Sequence, residues 1–185
     1  MIRAAKPEDS KHIIPLMMEA IGTIAFDLSG TENKEKTADI LEQYFIRSDN
    51  RLSWDNSIVW EQDGVPLGYA LFYEGSNVIT LDKPLEARLS ELRGEPVQLV
   101  KEALPGEFYL DSLAVDASQR GQGIGKQLMA AFEDEAKTRG LAKASLLVNV
   151  ANIRAKQLYE AQGYEGDGLV ITIAGEDYEH MVKKV

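Results

Sequence analysis

Three glycines at alternate positions, a short loop after an apolar run, constrain this chain more than any other feature. Residues 108–115 have the apolar content of a buried strand, and residues 121–125 read Gly-Gln-Gly-Ile-Gly ahead of a stretch with helical apolar spacing. The first N–H groups of a helix have no partner within the helix and lie at the positive end of its dipole. Because glycine lets a ligand approach these groups closely, the segment predicts an anion site between a strand and a helix.

The charge around these glycines is opposite to that of the whole chain. The 185 residues contain 20 Lys and Arg against 30 Asp and Glu, a formal net charge of −10. Between Ser118 and Lys126 there are two cations, Arg120 and Lys126, and no acid. This local reversal favours a small polyanion and not nucleic acid, because nucleic-acid binding needs an extended basic face.

Several kinds of site are excluded by residues that the chain lacks. Cysteine is absent, which excludes a disulfide framework, a thiolate metal site and a cysteine nucleophile. The two histidines, His12 and His180, do not have the spacing of a helical zinc site, so we expect no metal. His180 lies on a predicted strand, where a histidine more often has a structural role than faces a substrate. We also expect no signal peptide, no membrane partner and a cytoplasmic location.

Apolar spacing along the chain predicts an α/β fold, a single domain over residues 1–185 with a mixed central β-sheet flanked by helices. A first helix is expected after the Pro-Glu-Asp start signal at 7–9, with apolar positions from 13 to 24. Further helices are expected at 31–46 (capped by Thr31), 124–139 and 152–162. Strands are expected at 2–5, 57–62, 65–73, 108–115, 144–148, 169–173 and 178–182, the last two joined by a turn at 174–177. Residues 75–106, which contain three prolines, are predicted to be an insertion between the third and fourth strands, with a short helix at 85–92.

Two familiar phosphate-binding motifs do not match the glycine segment. A P-loop needs Ser or Thr after its Gly-Lys pair, but Lys126 is followed by Gln127. The dinucleotide motif G-x-G-x-x-G needs a glycine where Lys126 stands. The alternative to an anion site is a glycine-rich turn that only lets a helix pack near a strand.

The segment 120–125, Arg-Gly-Gln-Gly-Ile-Gly, is similar to Q/R-x-x-G-x-G/A, a signature of the GNAT superfamily of acyl-CoA-dependent N-acetyltransferases. Residues 152–164, Asn-Ile-Arg-Ala-Lys-Gln-Leu-Tyr-Glu-Ala-Gln-Gly-Tyr, resemble its second signature, N-x-x-A-x-x-L-Y-x-x-x-G-F, and depart from it only at Tyr164. The two signatures stand in the expected order, and with the predicted elements they cover nearly the whole chain. Residues 75–106 match least. The resemblance implies a GNAT-like fold.

The resemblance also implies acetyl-CoA as co-substrate and no metal. Its pyrophosphate would be wrapped by one loop, its pantetheine arm would lie along one strand, and one helix would complete the site. The loop residues are Arg120, Gly121, Gln122, Gly123, Ile124, Gly125 and Lys126. The strand residues are Leu113, Ala114 and Val115, and the helix residues are Asn152, Ala155 and Tyr159. A strand with a free edge suits pantetheine, because that arm is extended and rich in amides. Asn152 fits an N-cap of its helix equally well.

Transfer of an acetyl group from a thioester to an amine needs two proton movements. By its position in the family signature, Tyr159 would protonate the departing thiolate, although a packed aromatic residue is the ordinary alternative. For the base, strand alternation places Glu107, Asp111, Leu113 and Val115 on one face. Asp111 is preferred to Glu107 because it lies nearer the expected thioester, although either acid could equally be a bystander.

We therefore predict an N-acetyltransferase that acts on a primary amine of a small-molecule or peptide acceptor. Because no cysteine is available to carry the acetyl group, we expect direct attack in a ternary complex. The alternative is a catalytically inactive acyl-CoA-binding sensor or partner module, and a nucleotide-dependent phosphotransferase is weaker still. Dimers are common in the superfamily, so the resemblance leaves room for a homodimer. The acceptor stays open.

Overall fold

Seven strands form one sheet in the order β1-β2-β3-β4-β5-β7-β6 in the computed structural model, which describes all 185 residues. Only β4 and β5 are parallel, and every other neighbouring pair is antiparallel. The predicted α/β fold with a mixed sheet is confirmed. The strands are β1 (Ile2–Ala4), β2 (Ser57–Gln62), β3 (Val65–Glu74), β4 (Phe108–Val115), β5 (Lys143–Asn149), β6 (Glu165–Ile173) and β7 (Glu176–Lys184).

Six α-helices pack on the two faces of this sheet. They are α1 (Ser10–Ile21), α2 (Ile24–Ser29), α3 (Lys34–Phe45), α4 (Val78–Arg93), α5 (Ile124–Thr138) and α6 (Ile153–Glu160). Helices α1 to α4 bury their apolar residues in one hydrophobic cluster, and α5 buries its own in a second cluster on the opposite face. None of the helices has the length and apolar content needed to cross a bilayer.

The N-terminal region forms three helices where apolar spacing predicted two. Gly22, with a φ of +55°, ends α1, and Ile24 begins α2. The break is invisible in the spacing because apolar residues continue in helical register on both sides of it. The predicted cap of the next helix is also wrong: Asn33, not Thr31, accepts a hydrogen bond from the backbone N–H three residues on, at 2.9 Å.

Residues 75–106 lie between β3 and β4, as predicted, but their helix is longer than expected. It begins at Val78 and runs through Pro84 to Arg93. A proline inside a helix costs about 3 kcal/mol. Burial of Val78, Leu85 and Leu89 outweighs this cost, because each buried side chain contributes about 1.5–3 kcal/mol. The description of this segment as an insertion stays a prediction.

Asp111 is an extra residue in the pairing of β4 with β3. Leu110 and Ser112 pair with adjacent residues of β3, so Asp111 between them forms a β-bulge. A shift of one residue turns the following side chains to the other face. Leu113 and Val115 consequently pack toward α5, while Asp111 lies under the N-terminal helices. The predicted common face for residues 107–115 is wrong beyond the bulge.

Strands β4 and β5 separate soon after they pair. Their parallel pairing covers Phe108–Leu110 and Ala144–Leu146 only. Beyond this, β4 continues to Val115 against β3 alone, and β5 continues to Asn149 against β7. The second half of β4 therefore has the free edge that an extended, amide-rich ligand requires.

His180 joins three strands in the interior of the closing hairpin. It is fully buried on β7, with Nδ1 2.7 Å from Asp167 of β6 and Nε2 2.9 Å from Glu107 beside β4. Burial alone would lower the pKa of His180, but hydrogen bonds to Glu107 and Asp167 raise it above 6.5. Both ring nitrogens face carboxylate acceptors, an arrangement that favours the imidazolium form and gives His180 a structural role.

We predict that His180→Asn removes a pH-dependent part of the stability. A group whose pKa is raised by folding stabilises the protein fully below its unfolded pKa of 6.5, and that contribution is lost as the pH rises through the folded pKa. Urea denaturation at increasing pH should therefore show a falling free energy of unfolding, and the variant should lack this slope. Its loss of stability at low pH should be about 1.5–3 kcal/mol, the range for hydrogen bonds to charged groups.

The matched control for this measurement is His12→Asn, because His12 is exposed on α1. That variant should keep the slope of the unaltered protein. A slope that survives in the His180 variant would show that the buried imidazolium is not its source.

Candidate functional site

The N-terminus of α5 is open at the free edge of β4. Gly123 is its N-cap residue, and no side chain caps the helix. By contrast, the side chains of Asn33 and Asn152 cap α3 and α6. The N–H of Gln127 donates to the carbonyl of Gly123 at 3.1 Å, so the three N–H groups between these residues have no helical partner. Such groups bind an anion well.

The first two glycines of the loop are required by the backbone. Gly121 has a φ of +81° and Gly123 of +79°, conformations that other residues rarely adopt. A Cβ atom at either position would meet nothing within 4 Å, so open space lies in front of this turn. Gly125 is different: its φ is not positive and its Cβ would lie 3.8 Å from Leu113, an ordinary contact, so the backbone does not require glycine there.

A cavity of about 690 Å³ runs from this helix N-terminus along β4 to α6, and we call it the basic cavity. It brings together all but one of the residues that the family resemblance marked for the cofactor. Those that line it are Leu113, Ala114, Val115, Arg120, Gly121, Gly123, Ile124, Gly125, Lys126, Asn152, Ala155 and Tyr159. Gln122 does not line it, because its amide donates to Gln119 at 3.0 Å instead.

Three cations line the basic cavity: Arg120, Lys126 and Arg154. The only carboxylate on its wall is Glu19 of α1, which forms an ion pair with Arg120. No motif marked Arg154, although its spacing could have done so. Residues 154, 155, 158, 159 and 162 recur at the spacing of one helix face, and all of them line the cavity. The charge and the open N–H groups together fit a diphosphate.

A second cavity, of about 620 Å³, opens on the other side of the shared wall, and we call it the acidic cavity. No Lys, Arg or His lines it, whereas three carboxylates do: Glu19, Asp111 and Glu176. These acids are not arranged as a metal site. Glu176 and Tyr178 come from β7, and sequence patterns did not mark them because the hairpin reaches this place only through the sheet order. The residues common to both cavities are Glu19, Ala20, Leu113, Asn152, Ala155 and Tyr159.

Tyr159 lies where the two cavities meet. Its ring is half-buried and makes an edge contact with Tyr164, with centroids 6.2 Å apart. Its hydroxyl forms no hydrogen bond within the protein, whereas that of Tyr164 is bonded to Glu133 at 3.1 Å. Burial raises the pKa of Tyr159 above its usual value of 10.0, so the hydroxyl is protonated at neutral pH. A free proton donor therefore faces both cavities.

Asp111 lies on the wall of the acidic cavity as part of a buried ion network. Its Oδ2 accepts hydrogen bonds from Arg51, at 3.0 Å for Nε, and from the Tyr73 hydroxyl at 2.9 Å. Arg51 is only 2% exposed and also pairs with Glu102 at 2.9 Å and Asp82 at 3.6 Å. Burial opposes its charge, but Asp111 and the other carboxylates hold the pKa of Arg51 above its usual range. The Oδ1 atom of Asp111 forms no hydrogen bond.

Glu107 lines neither cavity. Its carboxylate is buried between His180, at 2.9 Å, and Lys143, at 3.4 Å. Burial would raise the pKa of Glu107, but the hydrogen bond from His180 holds it below its usual value. The expectation that Glu107 faces the same ligand as Asp111 is corrected: strand alternation placed the two acids on one face, but the closing hairpin covers Glu107. Its use as a base stays a prediction that this geometry disfavours.

Asn152 has the capping role that was one of its two alternatives. Its side chain accepts a hydrogen bond from the N–H of Ala155 at 3.1 Å. The side-chain nitrogen forms no bond within the protein, and the residue lines both cavities. The cap therefore leaves a donor free for a ligand, so the cofactor role of Asn152 stays a prediction.

Comparisons with known proteins agree with this geometry. A structure of an N-acetyltransferase from Staphylococcus aureus Mu50 superposes with a TM-score of 0.82 at 26% identity, over 99% of this chain and all of that one. The PaiA N-acetyltransferase of Thermoplasma acidophilum, solved in complex with coenzyme A, shares the fold with a TM-score of 0.61 at 16% identity, over 100% of this chain and 98% of that one.

Sequence comparison points the same way. The aminoalkylphosphonate N-acetyltransferase of Salmonella typhimurium is 32% identical over 108 residues, which are 54% of this chain and 69% of the relative. The model of the acetyltransferase (GNAT) family matches residues 18–164, which include both signatures and all of the residues shared by the two cavities. The chain therefore belongs to the GNAT family of acetyltransferases.

Proposed function

We propose that this protein transfers the acetyl group of acetyl-CoA to a primary amine by direct attack while both substrates are bound. One observation carries the proposal: the free, protonated hydroxyl of Tyr159 lies between a cavity that fits a diphosphate and a cavity that contains no cation. Acetyl-CoA, when bound, would supply the acetyl group as a reactive thioester. Direct attack agrees with the absence of cysteine from the chain.

The basic cavity would hold the cofactor through backbone and side chains together. The open N–H groups of Ile124, Gly125 and Lys126 would donate to one phosphate. Arg120 and Lys126 would neutralise the diphosphate, since charge-assisted hydrogen bonds of this kind are the strong ones. The free edge of β4, beyond Leu110, would bond the amides of the extended arm in the manner of an added strand.

Two side chains would move the protons. Tyr159 would donate to the departing sulfur, because burial keeps its hydroxyl protonated until the thiolate develops. Asp111 would accept a hydrogen bond, and then the proton, of the amine through its free Oδ1. Arg51 and Tyr73 hold the other oxygen, so the carboxylate has a fixed direction. This assignment keeps Asp111 and not Glu107, since only Asp111 lines the acidic cavity.

The geometry of the acidic cavity does not support, for this chain, the aminoalkylphosphonate acceptor that the Salmonella relative is named for. An aminoalkylphosphonate has an anionic group beside its amine, and a buried or confined anion needs a cation or several donors. The acidic cavity has no Lys, Arg or His on its wall. We therefore propose a small-molecule or peptide amine without an anionic group. A binding module without turnover remains the second candidate.

Arg120→Gln should weaken the binding of acetyl-CoA by about tenfold, the effect of one charge-assisted contact. The affinity of the variant should also depend less steeply on salt, because one phosphate contact is lost. Titration calorimetry measures both. Lys137→Gln, at the exposed far end of α5, is the control and should bind acetyl-CoA like the unaltered protein. Equal affinity of the two variants would place the diphosphate elsewhere.

Tyr159→Phe should lower turnover at saturating acetyl-CoA by about 10²-fold, within the range for general acid catalysis, and leave cofactor affinity nearly unchanged. Thiol release measures the first and calorimetry the second. The matched control is Tyr164→Phe, because that hydroxyl is bonded to Glu133 and does not face either cavity. A Tyr159 variant with full turnover would exclude the hydroxyl as the proton donor. Thiol release that never exceeds the acceptor-free rate with any amine would favour the binding module.

Asp111→Asn should reduce kcat/KM by about 10²-fold at neutral pH, because the amide can accept a hydrogen bond but not a proton. The loss should shrink as the pH rises and the amine loses its proton without help. Urea denaturation checks the fold in parallel, since the substitution also weakens the partner of Arg51. The control is Asp116→Asn, because Asp116 is a partly exposed acid just after the same strand that lines neither cavity, and Asn keeps an acceptor for the Ser118 N–H. A folded variant with an unchanged pH profile would assign Asp111 a structural role alone.

A further inference from the structure

The two cavities have opposite charges although they share a wall. The basic cavity contains three cations and one paired carboxylate, and the acidic cavity contains three carboxylates and no cation. The acidic cavity is an open cleft in which Glu19 and Glu176 are exposed, and a cleft lined by one sign of charge raises the local concentration of ligands of the other sign. The acidic cavity therefore repels an acceptor with a carboxylate or a phosphonate and attracts one with positive charge.

The three carboxylates of the acidic cavity are not equivalent. Asp111 is paired with Arg51, and Glu19 is paired with Arg120. Glu176 has no cation within ion-pair distance. Its Oε2 accepts only neutral hydrogen bonds, from the amides and hydroxyls of its neighbours: 2.7 Å from the side-chain nitrogen of Asn149 and 3.4 Å from the Tyr178 hydroxyl. Glu176 is thus the carboxylate whose charge a bound ligand would complement.

The position of Glu176 shows which nitrogen of an acceptor it would meet. The reacting nitrogen must be neutral when it attacks, and it must lie at the shared wall beside Tyr159 and Asp111. Glu176 lines the acidic cavity alone and is absent from that shared wall. A carboxylate there would hold a nitrogen that stays charged. The volume of about 620 Å³ has room for both groups, since it lies within the range of ordinary ligand pockets.

We infer that the acceptor is an aliphatic diamine or polyamine, with one amine at Tyr159 and a second, charged amine held by Glu176. This inference rests on the proposed function, because it assigns the acceptor of that same site. Asn149 and Tyr178 hold the Glu176 carboxylate in place, and they are positioning residues for the second amine.

The test compares acceptors of equal length that differ only at the far end. They are 1,5-diaminopentane, 1-aminopentane, 5-aminopentanoate and an aminoalkylphosphonate, each assayed by thiol release from acetyl-CoA. The diamine should have a kcat/KM at least about tenfold above the monoamine, the effect of one charged contact, and the two anionic acceptors should be poorer still. Higher salt should reduce the advantage of the diamine. The inference is overturned if the kcat/KM of the monoamine equals or exceeds that of the diamine, or if an anionic acceptor has the highest kcat/KM.

Glu176→Gln supplies the second part of the test. It should remove the advantage of the diamine, mainly through a higher KM for the diamine, so that the diamine and the monoamine have similar kcat/KM in the variant. The matched control is Asp177→Asn, which removes a charge from the next residue, outside the acidic cavity, and keeps a hydrogen-bond acceptor for Thr172. A similar loss in both variants would mean that general acidity, and not Glu176, favours the diamine.

Failure of the inference can be told apart from failure of the proposed function. If the monoamine or an anionic acceptor supports turnover and the diamine has no advantage, the acetyltransferase assignment stands and the inference falls. If no amine releases thiol, calorimetry of the diamine and the monoamine with the protein and coenzyme A decides the inference separately. The inference is supported if the diamine binds more tightly than the monoamine and if Glu176→Gln abolishes this binding. Equal or absent binding of both amines overturns it.

Discussion

The separation of β4 from β5 is the constraint on which the rest of this structure depends. Their parallel pairing ends after Leu110 and Leu146, while each strand remains paired on its other side. The gap that results exposes the backbone edge of β4, receives the N-terminus of α5, and brings α6 to the opposite wall with Tyr159. An ordinary, fully paired sheet would bury these backbone groups in ladder hydrogen bonds and leave no gap between the two strands.

Two buried ion networks hold β4 in place around this gap. Arg51 joins Asp111 of β4 to the segment after α4, and His180 joins Glu107 to the closing hairpin. Burying such charges is costly unless they are paired, so each network specifies one arrangement of segments that are far apart in sequence. Both networks also shape the candidate site: one leaves a single oxygen of Asp111 without a hydrogen bond at the wall of the acidic cavity, and the other keeps Glu107 out of that cavity.

The charge of the two cavities follows from which elements line them. Arg120 and Lys126 come from the glycine loop and the first turn of α5, and Glu176 comes from the hairpin across the sheet. Local sequence predicted the first set because loop, glycines and cations are neighbours in the chain. It did not predict Arg51, Glu19 or Glu176, since the contacts that make them part of the site span tens of residues. Arg154 was accessible to prediction by helical spacing, although no motif marked it.

By itself, the sequence determined the order of the elements, the open glycine turn before α5 and the family, because these depend on apolar periodicity and on residues close together in the chain. The break after Ile21, the helix through Pro84 and the capping residue of α3 were decided by backbone conformation and burial, which periodicity does not report. Only the tertiary structure decided the faces of β4. One bulged residue, Asp111, turned Leu113 and Val115 away from the acids before them, because side-chain direction in a strand depends on pairing with its neighbour.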